Sequence, residues 1–467
     1  MDSNPIKKML QQSARANAVS FHMPGHKGKA NLLLPFMPQW DTTELDSTDN
    51  LANPQQAIAT AQQLMASACG SAQTYMLVNG ATVGVLAMLL GCLSQGDTVI
   101  VQRDCHQSVM HACVLGGFRP VYVYPAQSGG MATVVTAQDV QLAIHKNPHA
   151  KAVVVTHPTY TGLCCDLLEI AKITKAHNML LCVDEAHGAH FPYHAALPPS
   201  AGLYADFWVQ SMHKTLPVYN QCALLHINNM AYAQRMRNTL NMLQTSSPSF
   251  VFLAAMDAAR ALMQHKGAQL LQFCMEQTAR LRRYVNQNTQ FGMAGEALLS
   301  LPGVAYYDQT RLVLQTGNTA YTGFEVARLL SAQGIVPEMA TTNSVVFICT
   351  VADEAADYAV LQYAISSIPH KPAMQRQKTI AYLPHEREQI LTPTQAFAQP
   401  QRKQALQAAA GYICARPVGV YPPGIPLIMP GEMVTPQDVE YLIAARQNGA
   451  QLFNAQPDET IWVVDKT

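Results

Sequence analysis

The feature of this 467-residue chain that most restricts its fold is a series of short, unbroken apolar runs separated by helix-forming stretches. Residues 74–78, 98–101, 120–124, 152–156, 180–183 and 207–210 read as strands, among them Ala152-Val153-Val154-Val155-Thr156 and Phe207-Trp208-Val209-Gln210. None alternates apolar with polar, so both faces must be covered, and helical stretches over 81–93, 137–145 and 167–176 fall between several of them. This pattern predicts an α/β fold with a mostly parallel sheet between helical layers. A long Ala/Leu/Met-rich helix from Phe250 to about Asn288 leads to a fresh α/β stretch, 303–368, and a last unit follows a polar, proline-punctuated segment. The expected division is an N-terminal arm over 1–40, a large domain over 41–300 and a smaller C-terminal α/β part over 301–467, with a short helix near 4–16 inside the arm.

Composition narrows the function. Thirty basic side chains balance thirty acidic ones, so the chain lacks the basic excess of a nucleic-acid or anionic-membrane binder. The longest apolar run, Val83 to Leu93, is far short of the ~20 residues that cross a bilayer. The first residues hold two lysines but no apolar segment behind them, so no secretory signal is expected and the cytoplasm is the expected compartment. Eleven cysteines without a Cys-x-x-Cys pair read as reduced core residues. Charged residues make up only 13%, against roughly 25% in an average soluble protein. The expectation is a surface covered by further copies of the chain.

Open α/β sheets bind ligands beyond the carboxyl ends of their strands, so the residues that follow each run are the first candidates. Asn79-Gly80-Ala81-Thr82 opens a helix, where free N–H groups and the helix dipole suit a phosphate, although, taken alone, the segment reads better as a plain turn with Thr82 as cap. Asp184, in Val183-Asp184-Glu185-Ala186-His187-Gly188-Ala189-His190, leaves a buried strand and needs a cationic or donor partner. Asp184, His187 and His190 could also be read as metal ligands, but their spacing imposes no metal geometry, and no metal is expected. Lys214, in Gln210-Ser211-Met212-His213-Lys214-Thr215, becomes nucleophilic toward carbonyls if held in a dry cleft, with Ser211 and His213 beside it able to donate to a phosphate. His106 follows another strand and offers a flat ring. An imine-forming lysine, a carboxylate for a pyridine nitrogen, a phosphate cup and a stacking ring together point to pyridoxal 5'-phosphate.

The motifs SFHMPGHKGK (20–29), DTTELDSTDNL (41–51), VNGATVG (78–84), RDCHQS (103–108), PTYTGLCCDL (158–167), VDEAHGAH (183–190), QSMHKTLP (210–217), TSSPSF (245–250) and YPPGIPLIMPGE (421–432) resemble those of the bacterial ornithine/lysine/arginine decarboxylases, in the family's order. The resemblance is to the short form, and it implies the aspartate-aminotransferase-like fold of pyridoxal-phosphate enzymes. It implies decarboxylation of arginine, lysine or ornithine to an amine of the polyamine-forming kind, with a homodimer or higher homo-oligomer sharing its active sites between chains. By position, it makes Lys214 the imine lysine, Asp184 the partner of the pyridine nitrogen and His106 the stacking ring. Ala81, Thr82, Ser211 and His213 become the phosphate cup, Ala186 and His187 cofactor neighbours, and Ser246 or Ser247 a phosphate contact given to the neighbouring subunit. His213 and Lys214 are both candidates for the proton donor to Cα.

Several relatives carry an acidic residue shortly before the YPPGIP segment, where this chain reads Cys414-Ala415-Arg416-Pro417. A guanidinium at that place would repel a basic substrate. Either Arg416 points elsewhere, or the substrate is not a typical basic amino acid; Glu44, Asp46, Asp49 and Glu432 remain as the acidic candidates for the far end of the pocket. Alternative outcomes are a same-fold aminotransferase or other lyase, in which Arg416 holds a substrate carboxylate, and a catalytically silent cofactor-binding paralogue. Release of CO2 separates them.

Overall fold

The structure is a computed structural model, and it describes residues 19–21, 49–128, 131–372, 386–421, 424–447, 450–455 and 459–465. Most of the expected N-terminal arm, including the helix near 4–16, lies outside these residues, as do Glu44 and Asp46.

Seven strands form the main sheet: β1 (Gln73–Leu77), β2 (Thr98–Gln102), β3 (Arg119–Val123), β4 (Ala152–Thr156), β5 (Leu180–Asp184), β6 (Phe207–Gln210) and β7 (Ala223–Ile227). Their order is β1-β7-β6-β5-β4-β2-β3. Strand β7 is antiparallel to both its neighbours and every other pair is parallel. On one face lie α2 (Gly80–Cys92), α3 (Gln107–Gly116) and α7 (Ala233–Leu243), whose Val85, Met88, Val109 and Met236 pack with Val99, Val209 and Leu225 of the sheet. On the other lie α4 (Ala137–Lys146) and α5 (Leu167–Ala176), where Ile144 and Ile170 meet Ile100, Val153, Leu181 and Trp208. This two-sided burial is why the strands read as continuous apolar runs. Helix α2 presses close: a Cβ on its Gly84 would stand 2.7 Å from Leu77 Cδ1 and 2.9 Å from Val209 Cγ1. A side chain there would force Leu77 or Val209 to shift.

A single long helix, α8 (Phe250–Asn288), serves two cores: Leu253, Met256 and Met263 pack against the main sheet's surroundings, and Cys274, Leu281 and Val285 against a second sheet. That sheet is antiparallel, β8 (Gly292–Met293), β9 (Arg311–Gln315), β10 (Met339–Ala340) and β11 (Ser344–Ile348) in the order β8-β9-β11-β10. Residues 386–465 carry a further core, built from Leu406, Cys414, Ile428, Leu442, Ile461 and Val463 around the pair β12 (Gln401–Ala405) and β13 (Thr460–Val464).

A buried cation ties this last part to the main sheet. Arg103, 3% exposed just past β2, donates to Glu432 from Nε (3.2 Å) and Nη2 (2.8 Å), and to the carbonyls of Pro426 (3.0 Å) and Leu427 (2.9 Å). Arg387 binds Asp438 through both terminal nitrogens and lies 3.8 Å from Glu432. The clamp seats Gly424 beside the main sheet, where its carbonyl accepts the Gln107 N–H at 3.3 Å.

Candidate active site

The carboxyl ends of β2, β4, β5 and β6 face a cavity of about 390 Å³. Each wall follows from a local chain rule. Between β1 and α2 the backbone turns at Gly80, φ 75°, a left-handed conformation that glycine adopts without strain. The Gly80 N–H is spent on the Gln221 carbonyl (2.9 Å), and Ala81 and Thr82 in the first turn of α2 line the cavity. After β2 the chain passes Arg103 to His106, whose Nδ1 caps α3 by accepting the Ser108 N–H at 3.2 Å. The β5–β6 register sets Asp184 beside Val209, so the carboxylate ending β5 and the short helix α6 (Met212–Thr215) that follows β6 open into one space. Asp184, Ala186, His187, Ser211, His213 and Lys214 all line it, so the predicted cofactor residues on this side of the sheet converge.

Burial shapes their charges. Desolvation pulls the Lys214 amine below the ordinary lysine range, reinforced by Arg311 and opposed by the charges of Asp184 and Glu338. Burial raises the Asp184 carboxyl, with the Lys214 charge and the Ala186 N–H (3.1 Å) working against the rise. His106 and His213 are each pulled down to about 4, chiefly by burial and then, for His106, by the Lys214 charge, so both rings are neutral near pH 7. Nδ1 of His213 bonds the Cys222 carbonyl at 3.1 Å. His187 lies well below its ordinary value, through burial first and then the charges of Lys214 and Arg311. Its Nε2 is 3.0 Å from Lys214 Nζ. A nucleophilic amine, a carboxylate, a flat neutral ring and an open helix N-terminus thus share one sheltered space, which suits imine chemistry on a phosphorylated aromatic aldehyde.

Other expected residues stand elsewhere. The Asp49 carboxylate is taken up by four backbone N–H groups, those of Asn50, Gln55, Gln56 and Ile58 (2.8–2.9 Å), at the entry to α1 (Ala57–Cys69). Against the cost of burial these bonds hold it below the usual carboxylate range. Glu432 is 1% exposed and saturated by Arg103, Arg387 and the Met429 N–H. Arg416 lies 4.1 Å from the Trp462 ring centre and donates to Gln401 Oε1 at 2.9 Å. None of the three lines the cavity. Ser246 is exposed and also outside it; the adjoining Thr245 N–H donates to Asn79 Oδ1 (3.1 Å), which anchors the segment to the turn before α2.

The structure adds residues that sequence reasoning left out. Tyr160, within the quoted 158–167 motif but given no role there, meets the His187 ring edge-on at 4.6 Å, and its hydroxyl donates to Glu338. Arg311 opens β9, is 3% exposed and brings Nη2 to 3.4 Å from His187 Nδ1. Asn220, Gln221 and Ile425 also line the wall. Arg311 and Glu338 come from the second sheet, where nothing local in the sequence marks them. Among the described residues no cluster of three or more His, Cys, Asp or Glu side chains has the arrangement of a metal site, and no helix is long and apolar enough to cross a membrane.

Residues 4–357 match the family description "Orn/Lys/Arg decarboxylase, major domain", and residues 375–453 match "Orn/Lys/Arg decarboxylase, C-terminal domain". The chain is similar to the protein YaaO of Bacillus subtilis, 35% identical over 456 residues that cover 94% of each. It is also similar to the arginine decarboxylase of Bacillus subtilis, 30% identical over 453 residues, 94% of this chain and 92% of that one. Among solved structures it superposes on lysine decarboxylase A of Pseudomonas aeruginosa with a TM-score of 0.79 at 19% identity, covering 91% of this chain and 73% of the other. That superposition shows a shared fold.

Proposed function

The chain belongs to the Orn/Lys/Arg decarboxylase family and decarboxylates a basic amino acid; we propose arginine as the substrate and Lys214 as the residue that carries pyridoxal phosphate. The fold is that of the aspartate-aminotransferase-like pyridoxal-phosphate enzymes, with the cavity at the carboxyl edge of its main sheet. The observation that carries the reading is this single cavity, which collects Lys214, Asp184, His106 and the open first turn of α2. Arginine is favoured by the Bacillus subtilis arginine decarboxylase, which is similar over nearly its whole length. The position of Arg416 supports a basic substrate as well: its guanidinium rests on Trp462 and so does not oppose a cationic side chain in the cavity.

In this reading Ala81, Thr82, Ser211 and His213 hold the cofactor phosphate, with N–H and hydroxyl donors at helix starts suited to an anion. Asp184 would partner the ring nitrogen; a buried carboxylate with one backbone N–H bond gains most from a protonated partner. His106, neutral and fixed by Ser108, would offer the cofactor ring a flat stacking partner without adding charge. When bound, the cofactor supplies a conjugated ring that accepts the electron pair left at Cα as CO2 departs. Ala186 and His187 close the space around it. The sheltered walls strip water from the substrate carboxylate, which favours loss of its charge. Lys214 and His213 each have a nitrogen that can return a proton to Cα.

Two copies are the proposed functional unit. The support is the low charge content and the exposed Ser246 segment, which sits at the edge of the phosphate turn and outside its own cavity, where it can reach a neighbouring one. The cytoplasm remains the proposed compartment.

The test is release of CO2 from arginine, lysine and ornithine by purified protein supplied with pyridoxal phosphate. Arginine is expected to turn over fastest and to yield one amine without a keto-acid acceptor. Preference for lysine or ornithine overturns the substrate assignment, and a requirement for a keto acid overturns the reaction.

A further inference from the structure

We propose that Arg311 is a positioning residue: it fixes His187 in the tautomer with its proton on Nε2, so that His187 grips the free Lys214 amine by its lone pair. The inference deepens the reading of Lys214 given above and rests on it.

Donors and acceptors around His187 fix its tautomer. A guanidinium has five N–H donors and no acceptor. Arg311 Nη2 stands 3.4 Å from His187 Nδ1, a favourable contact only if Nδ1 presents a bare lone pair. A neutral imidazole with Nδ1 bare carries its proton on Nε2. Nε2 lies 3.0 Å from Lys214 Nζ, so that N–H can be satisfied only by a neutral amine offering its own lone pair. The opposite arrangement, an ammonium donating to Nε2, puts the imidazole proton on Nδ1 against the Arg311 N–H. A doubly protonated ring sets donor against donor at Nδ1, and at Nε2 as well when the amine is protonated. Of the three arrangements, only the first leaves no pair of donors facing each other.

The surroundings hold this relay in place. Asp308, 1% exposed, lies 3.8 Å from Arg311 Nη2 and is itself bound by His190 (3.3 Å) and Thr310 (2.7 Å). Arg311 pairs with Ile348 in the second sheet, so its backbone is fixed. The Tyr160 ring meets His187 edge-on and limits rotation of the imidazole. Further groups that act on the pair are Asp184 at the end of β5, His213 on α6, His106 before α3 and Glu338 beside β10; burial and the Arg311 charge both favour the neutral amine. The consequence is a lysine kept as free base, ready to replace the aldehyde oxygen of pyridoxal phosphate, which leaves as water when the C=N bond forms.

Two measurements test the inference. In cofactor-free protein labelled with ¹⁵N-histidine, with His187 signals identified by their loss in His187→Gln, nitrogen NMR is expected to show Nδ1 bare and Nε2 protonated. A protonated Nδ1 overturns the proposal without any arginine variant. The rate at which the visible cofactor band forms on adding pyridoxal phosphate is then followed against pH. Arg311→Met is expected to move its midpoint up by about one pH unit or more, while Arg311→Lys, still a pure donor, keeps most of the wild-type profile; an unmoved midpoint in Arg311→Met overturns it. Lys214→Ala separates the two readings: a band that persists there refutes the assignment of Lys214 itself, whereas a band lost there together with a protonated Nδ1 refutes only the relay.

Discussion

Substituting Glu432→Gln tests whether the acidic residue after the YPPGIP segment serves the substrate or the architecture. Its carboxylate accepts two bonds from Arg103, at 3.2 and 2.8 Å, and one from the Met429 N–H at 2.8 Å, while Arg387 stands 3.8 Å away, all with side chains no more than 3% exposed. The amide keeps one carbonyl oxygen but turns an NH₂ group toward a guanidinium, and the net charge between two buried cations is lost. Charge-assisted hydrogen bonds contribute about 1.5–3 kcal/mol each, and breaking a buried pair costs about 3–5 kcal/mol because the survivor is left uncompensated. Arg103 keeps its two carbonyl acceptors, so the lower end, about 3 kcal/mol, is expected. The assay is urea denaturation of cofactor-free protein, read for loss of the cooperative transition of the part that contains Arg103. Arg103→Met/Glu432→Met should lose clearly less than the sum of its two single changes, since an apolar pair removes both unpaired charges. A loss below about 0.5 kcal/mol for Glu432→Gln, typical of surface changes, together with a raised KM for arginine, would refute the clamp and restore Glu432 to the substrate.

Three further outcomes are expected. Asp184→Asn should lower kcat on arginine by about 10²–10³, the scale on which loss of one preorganised electrostatic partner acts; near-normal turnover would remove Asp184 from the reaction. Arg416→Glu should leave KM for arginine unchanged within about twofold, because the side chain is engaged with Trp462 and Gln401, whereas a markedly lowered KM would place it in the pocket. Burial pulls His226 down to about 3, so the folded chain keeps it neutral while the unfolded chain protonates it near pH 6.5. Its contribution is therefore present above about pH 6.5 and is lost as pH falls toward 3, at up to about 1.4 kcal/mol per pH unit, and His226→Gln should flatten the acid limb of the stability curve by about one proton.

Sequence reasoning reached furthest where function is written locally. The parallel strands were legible because burial on both faces leaves only apolar side chains, and ranges such as 152–156 and 207–210 agree with β4 and β6. Strand β7 was not read: it is the antiparallel strand, follows no intervening helix pattern, and carries His226 among its apolar residues. Asp184, His106 and Lys214 were legible as polar residues at the ends of buried strands, and the structure brings them to one cavity. Roles that depend on a distant partner were not. An acidic residue in a sequence does not disclose who neutralises it: Glu432 is claimed by Arg103, 329 residues earlier, and Asp49 by the backbone just after it. Arg311 and Glu338 reach the cavity's edge only because the second sheet packs beside the first, and no local pattern encodes that meeting.

The proposed role of Lys214 as the lysine that carries the cofactor can be read out directly. Borohydride reduction of the protein loaded with pyridoxal phosphate, followed by proteolysis and mass spectrometry, locates the fixed pyridoxyl group directly. The prediction is a pyridoxyl mass on the peptide containing Ser211 to Thr215, assigned to Lys214; the same mass on any other lysine, with Lys214 unmodified, would contradict it.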